Sequence, residues 1–324
     1  MSKRTTTLFI TASLAMVLII TLFAAGCTDT SKNTATTPVP TATAVTTQKV
    51  VATSTSVPVV VTTPAAPAQK QSITISGSTT VLPIVQKAAD QYMASHPEAD
   101  IQVAGGGSGV GIQAIGAKTV DIGMSSREVT EAEMAKYPSF VVTTVAQDAI
   151  ALVVNPSNTI PYITLDQAKN IYLGKITKWN QITGADVPNT NNQIVVIGRD
   201  SASGTRSYFD ETVLLKATPT NKMLEKNSNG AVAQTVAQTP GAIGYVSIGF
   251  VTPDIKPLPI WYNYQKIITP SIATVKDKTY PVSRSLYVIT NGQPTGLTKG
   301  FIDYILSPAG QKIVEDEGYV KITS

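Results

Sequence analysis

Three short turns in this chain repeat one local pattern, and the repetition restricts the fold more than any other feature. They are Gly77-Ser78-Thr79-Thr80, Gly105-Gly106-Gly107-Ser108-Gly109 and Arg199-Asp200-Ser201-Ala202-Ser203-Gly204-Thr205. Each follows a β-like run and opens a helix-like one, an order that predicts an α/β layered fold with ligands outside the carboxyl ends of the strands. Glycine lets backbone N–H groups turn toward a ligand, Ser and Thr add hydroxyl donors, and a helix start leaves N–H groups unpaired at the positive end of its dipole. Three such turns, one carrying an arginine, point to a pocket for a small oxyanion. Taken alone, 105–109 reads equally as a tight strand-to-helix turn. It is not a P-loop, because no Gly-Lys-Ser/Thr closes it.

The patterns between the turns alternate. Strand-like runs are read at 73–76, 101–104, 120–123, 140–145 and 149–154, and helical spacing at 81–95, 110–117 and 131–136. In 81–95 the apolar set is Val81, Ile84, Val85, Ala88, Ala89 and Tyr92. Beyond Asn155-Pro156 the theme restarts: helices at 165–173, 205–215 and 231–238, strands at 193–198 and 242–246, then a strand at 285–290 and helices at 298–306 and 309–317. These elements fit a second α/β lobe inserted in the first. Lobe I is expected to comprise 72–153 plus 284–324, and lobe II 154–283.

The N-terminus bears on location. Lys3 and Arg4 precede an uncharged apolar run, 8–25, which ends in small residues before Cys27, the only cysteine. That is a secretory layout, and it resembles a lipoprotein signal, 1–27, in which Cys27 receives lipid; an uncleaved signal anchor is the alternative. Either way the rest of the chain lies outside the cell membrane, and with Cys27 modified no disulfide is available. From 28 to 71 the sequence is rich in Thr, Ala, Val and Pro, with no Gly and no aromatic residue. Such a stretch buries too little to offset its ordering entropy, so a disordered, semi-rigid tether is expected, with threonines open to glycosylation.

Charge and composition exclude several classes. Without Lys3 and Arg4 the 25 basic residues fall to 23 against 21 acidic ones, a formal +2, which gives no sign of a nucleic-acid surface. There is one histidine, His96, no Gly-x-Ser-x-Gly elbow and no carboxylate cluster with ligand spacing. No enzyme, metal site or cofactor is expected. Trp179, Trp261 and the tyrosines are read as packing, Arg206 as structural, and Asp200 as orienting Arg199 or capping the following helix.

One ordered set of motifs is more specific than any member alone: Ile75-Ser76-Gly77-Ser78-Thr79-Thr80, Gly105 to Gly109, Val120-Asp121-Ile122-Gly123-Met124-Ser125-Ser126-Arg127, Ile171-Tyr172-Leu173-Gly174-Lys175-Ile176, and Arg199 to Thr205. From about residue 72 onward it resembles the phosphate-binding proteins of ABC phosphate importers, the PstS type. The resemblance implies a two-lobed periplasmic-binding-protein fold that closes over inorganic phosphate and delivers it to a membrane permease. It implies as phosphate contacts Ser78, Thr79 and Thr80, then Ser108 and Gly109, and from the inserted lobe Arg199, Ser203, Gly204 and Thr205. Arg199 would make the charge-assisted contact.

The family places an aspartate where this chain has Ser126, to accept the phosphate proton and repel sulfate. Here Ser126 is followed by Arg127, an added positive charge that either faces the ligand or pairs with Glu128 or Glu131. Asp148 is the first candidate for a replacement acceptor and Asp121 the second. The expected product is a monomeric, lipid-anchored receptor on the outer face of the membrane. A sulfate or molybdate receptor is the alternative, with a phosphatase or an adhesin behind it.

Overall fold

The computed structural model describes residues 70–182 and 192–322, all within one compact unit. The signal, Cys27 and the tether up to residue 69 lie outside the described residues. Among the described residues no helix is long and apolar enough to cross a membrane, and no group of side chains has the make-up of a metal site.

The chain opens with β1 (Gln71–Gly77), α1 (Leu82–Ser95), β2 (Ala99–Ala104), α2 (Ser108–Gly116), β3 (Ile122–Ser125), α3 (Glu131–Lys136) and the long β4 (Phe140–Val154). It continues through α4 (Leu165–Tyr172), β5 (Val195–Arg199), α5 (Gly204–Thr212), β6 (Leu224–Lys226), α6 (Asn229–Gln238), β7 (Ala242–Ser247), β8 (Lys256–Pro257), β9 (Ile260–Tyr262), β10 (Lys266–Ile268) and α7 (Ile272–Lys276). It closes with β11 (Ser283–Asn291), α8 (Gly296–Leu306) and α9 (Pro308–Asp316).

A nine-stranded sheet runs β2-β1-β3-β11-β4-β7-β5-β6, with β8 also on β4. The β2-β1-β3 and β7-β5-β6 stretches are parallel, and the central pairings of β11 and β4 are antiparallel. Two α/β halves therefore share their middle strands. One half rests on a core of Ile73, Ile75, Val85, Met124 and Phe301; the other rests on Tyr172, Trp179, Phe209 and Tyr245 on one face and Val153, Ile197 and Val232 on the other. The apolar stripe of α1 is what the helical period demands: Ile84, Val85, Ala88, Ala89 and Tyr92 are all buried.

Two strand-like runs, 140–145 and 149–154, are one strand. β4 pairs with β11 from Phe140 to Ala149 and with β7 from Ile150 to Val154, so it belongs to both halves. β3 sits two residues later than 120–123 because its ladder to β1 matches Ile75 with Ile122. The strands β6 and β8–β10 and helix α7 carry no period long enough to read: β8 has two residues and β9 three.

Candidate functional site

The three turns meet where the two halves face each other. In the first, Ser78 Oγ accepts the Thr80 N–H at 3.1 Å and the Val81 N–H at 3.4 Å, which shapes the entry to α1. In the second, Gly107 has a positive φ of 98°, and a Cβ there would lie 2.6 Å from Ala202 O. Only glycine meets both demands. In the third, Ser203 Oγ accepts the Arg206 N–H at 3.2 Å and caps α5.

Contacts across the cleft are direct. Gly109 N–H donates to Ala202 O at 3.0 Å, Arg199 Nη2 donates to Thr79 Oγ1 at 3.2 Å, and the Thr80 and Thr205 hydroxyls lie 3.1 Å apart. Gly204 packs so closely on the second turn that a Cβ would sit 2.2 Å from Ser108 Oγ and 2.9 Å from Ser126 Oγ. The halves are closed on one another.

Arg199 is 1% exposed. Its Nε donates to Lys226 O and its Nη2 to Asn227 O, both at 3.1 Å, while Tyr245 Oη accepts its backbone N–H. Burial lowers its pKa to about 10, with Asp200 and Tyr245 opposing the shift and Arg284 adding to it. The guanidinium therefore stays charged at neutral pH. Its Nη1 is buried with no partner.

Arg284, on β11, is a second buried guanidinium in the same place. Its Nε and Nη2 donate to Asp148 Oδ2 at 3.0 and 2.7 Å, and Nη2 also reaches Thr205 Oγ1 at 3.0 Å and Thr80 Oγ1 at 3.4 Å. Its Nη1, too, is buried without a partner. Asn229, first residue of α6, donates from Nδ2 to Thr80 Oγ1 at 2.9 Å and accepts the Ser247 N–H at Oδ1.

Arg284 Nη2 has two N–H groups: one is on Asp148, and the other is shared between Thr205 Oγ1 and, at the longer distance, Thr80 Oγ1. With Asn229 Nδ2 also on Thr80, the two threonine hydroxyls form one network between the lobes, and either can donate to the other. Beside it, Ser108 Oγ accepts the Ser126 N–H at 3.0 Å and lies 3.3 Å from Ser126 Oγ. The starts of α1, α2, α5 and α6 border this cluster, so four dipole ends add positive potential.

The expected residues divide accordingly. Thr79, Thr80, Ser108, Ser126, Asp148, Arg199, Gly204 and Thr205 are brought together, Ser78 and Ser203 hold their turns, and the Gly109 N–H is spent on Ala202. Three placements correct the sequence reading. Arg127 forms a bidentate pair with Glu133, at 2.8 and 2.7 Å, and borders a cavity of about 430 Å³ shared with Tyr208, Lys278 and Tyr287. Its partner is neither Glu128 nor Glu131, although it also donates to Glu128 O; α3 has Thr130 and Glu133 in a capping box, which sets the carboxylate toward it. Asp148 receives Arg284 Nε and Nη2, Ser247 Oγ at 2.7 Å and Ile248 N–H at 3.2 Å. Four donors occupy its four lone-pair sites, leaving none for a ligand hydroxyl. Asp121 Oδ2 is bonded to the Thr74 N–H and hydroxyl.

Sequence reasoning missed Arg284, Asn229 and Ser247. Arg284 had a signal: it occupies the inward parity of β11 with Leu286 and Val288, where a lone charge demands a partner. Ser228-Asn229-Gly230 is a fourth polar, glycine-bearing turn opening a helix.

A family model described as a PBP superfamily domain matches residues 61–309. The phosphate-binding protein PstS of Bacillus subtilis is 37% identical over 254 residues, covering 78% of this chain and 81% of the relative. The chain belongs to the PstS family. That family consists of substrate-binding proteins of ABC transporters and not of enzymes. Among solved structures, a Clostridium perfringens substrate-binding protein assigned to a phosphate ABC transporter and carrying bound phosphate is 32% identical, with a TM-score of 0.72, covering 78% of this chain and 100% of that one. An ABC-type phosphate transport receptor from Vibrio cholerae is also 32% identical, with a TM-score of 0.63 over 76% and 99% of the two chains. The fold is the two-lobed one of these phosphate-binding relatives, with the second α/β lobe inserted in the first.

Proposed function

We propose that this chain is an extracytoplasmic receptor that captures inorganic phosphate between its lobes and delivers it to an ABC permease, tethered to the outer face of the membrane through lipid on Cys27. The observation that carries the reading is the pair of buried, unpartnered donors, Arg199 Nη1 and Arg284 Nη1. Two orphaned guanidinium N–H groups in one buried cluster need an anion with at least two acceptor oxygens. The Thr79, Thr205, Ser108 and Ser126 hydroxyls and the N–H groups that open α5 supply the remaining donors. Closure has a direct cause here, since the anion touches both lobes and is bound better in the closed form.

The same pairing supports our reading of the lobe boundaries. We place the crossing between Ala149 and Ile150, where β4 changes partner, and the return at Ser283, where β11 begins. The charged pair Arg284–Asp148 is in register on these two strands, so the anion sits directly on the hinge.

The test is a calorimetric titration with phosphate after unfolding and refolding to strip bound ligand, repeated in excess sulfate. Tight one-to-one binding that sulfate fails to displace is the expected result. Displacement by sulfate would move the reading to a general oxyanion receptor, and no binding of either anion would overturn it.

A further inference from the structure

On the inserted lobe, away from the anion site, a cavity of about 240 Å³ is lined by Trp261, Tyr262, Tyr264 and Leu215 together with Asp166 and Asn263. We propose that it is a carbohydrate subsite that takes one pyranose ring.

Backbone conformation singles the place out. Tyr264 and Leu215 are the two most exposed large hydrophobic side chains among the described residues, at 64% and 65%. Both have left-handed backbones, with φ of 56° and 53°, as do their neighbours Asn263 and Lys216 at 50° and 66°. A bulky residue in this region is strained, and Asn263-Tyr264 fills a hairpin turn position that glycine would occupy without strain. Two separate loops thus hold apolar side chains out into water, at a conformational cost, around one cavity. Folding alone does not ask for this.

The lining defines the ligand class. Trp261 and Tyr264 meet at 75° with centroids 5.2 Å apart, and Tyr162 backs Trp261 at 5.4 Å, so the rings form a corner. The hairpin is tied to the body by Trp261 N–H donating to Ile163 O at 2.9 Å, which fixes the corner in place. Aromatic faces carry partial negative charge and attract the polarised C–H face of a sugar. Asp166 and Asn263 are part of the lining, and Asp166 has no ion pair among the described residues. A carboxylate and an amide there accept and donate to ring hydroxyls. No lysine or arginine lines the cavity, so an anion has nothing to bind. Its volume lies below the roughly 300 Å³ at which drug-sized pockets begin, which suits one ring.

The experiment is a tryptophan-fluorescence titration of the whole protein with glucose, N-acetylglucosamine and the tetramers of each, up to about tenfold above a millimolar Kd. Trp179 is fully buried, so a saturable change reports on Trp261. The expected result is saturation by at least one sugar, with Tyr264→Ala and Asp166→Ala each weakening it at least about tenfold, equivalent to about 1.4 kcal/mol, while phosphate binding is unchanged. Tyr264 is an exposed tip residue in a strained conformation, so its replacement leaves folding intact. Saturation by tetramers alone would identify a polymer as the ligand, and saturation by monomers a free sugar. No saturable response to any of the four, or an equal response in Tyr264→Ala, overturns the proposal.

Discussion

Two arginines of this protein each grip a carboxylate, and they do opposite things. Arg127 meets Glu133 fork to fork, with both Nη atoms engaged, at the partly exposed edge of α3. Arg284 meets Asp148 in the interior, at 2% and 0% side-chain exposure, through Nε and Nη2 onto a single oxygen, and keeps Nη1 unpartnered. The first pair is complete and closes a surface turn. The second is deliberately incomplete in chemical terms: the carboxylate holds the guanidinium in place, and one donor remains for something else. Position in the fold decides between the roles, because only a buried donor gains much from a ligand that satisfies it.

The largest effect that separates the pairs is the loss of Asp148. Asp148→Asn keeps the shape, leaves Arg284 without a counter-charge and turns an NH2 toward the Ser247 and Ile248 donors. Removing one partner of a buried pair costs about 3–5 kcal/mol, which for a domain of this size lowers Tm by about 10 °C. Saturating phosphate should return more of the lost Tm than ligand adds to the wild type, since the anion becomes the charge that Arg284 lacks. Differential scanning calorimetry with and without phosphate tests this. An Asp148→Asn protein that melts like the wild type would reduce the buried pair to the status of the surface one.

Cleft closure comes next in size. Gly204 lacks a positive φ, so alanine fits its own backbone, and the clash at 2.2 Å is with Ser108 on the other lobe. Gly204→Ala should therefore leave the unliganded Tm near that of the wild type and weaken phosphate binding by about a hundredfold or more, as Arg199 and Arg284 fail to converge. Small-angle scattering should show the compaction on phosphate addition diminished. Undiminished compaction and affinity would mean that the lobes tolerate a wider cleft than the three turns suggest.

The same contrast explains what the sequence could tell. Turns and helix starts are local: Gly77 to Thr80 and Arg199 to Thr205 declare themselves through glycine, hydroxyl and period, and the structure places them at one cleft. Arg127 was misread for the converse reason. Next to Ser126 it looked like part of the ligand-binding turn, whereas its partner, Glu133, is chosen by the capping geometry of α3. Arg284 and Asp148 lie far apart in the chain, and their pairing is a property of sheet register, which no local pattern records. The continuous β4 was hidden likewise, since its exchange of β11 for β7 depends on strands that come much later. Nor does any period reveal that the β9–β10 tip stands in left-handed backbone.

The smallest effect concerns the surface pair. The Arg127 guanidinium, with help from Thr130, holds Glu133 at about 2, against an ordinary 4.5. A carboxyl whose folded pKa is depressed contributes stability that is present in full above about 4.5 and is lost as pH falls toward about 2. Because the pair is partly solvated, that contribution at neutral pH is below about 1 kcal/mol. Glu133→Gln should accordingly melt slightly lower than the wild type at pH 7, and the gap should close as pH is lowered through this window. Taking the difference between the two proteins cancels the titration of every other carboxylate. Phosphate should add the same increment of Tm to both, unlike the Asp148 variant. A gap that persists undiminished at the acid end would show that shape and hydrogen bonding, and not charge, make the Arg127–Glu133 clasp, and the electrostatic half of the comparison between the two arginines would then rest on Arg284 alone.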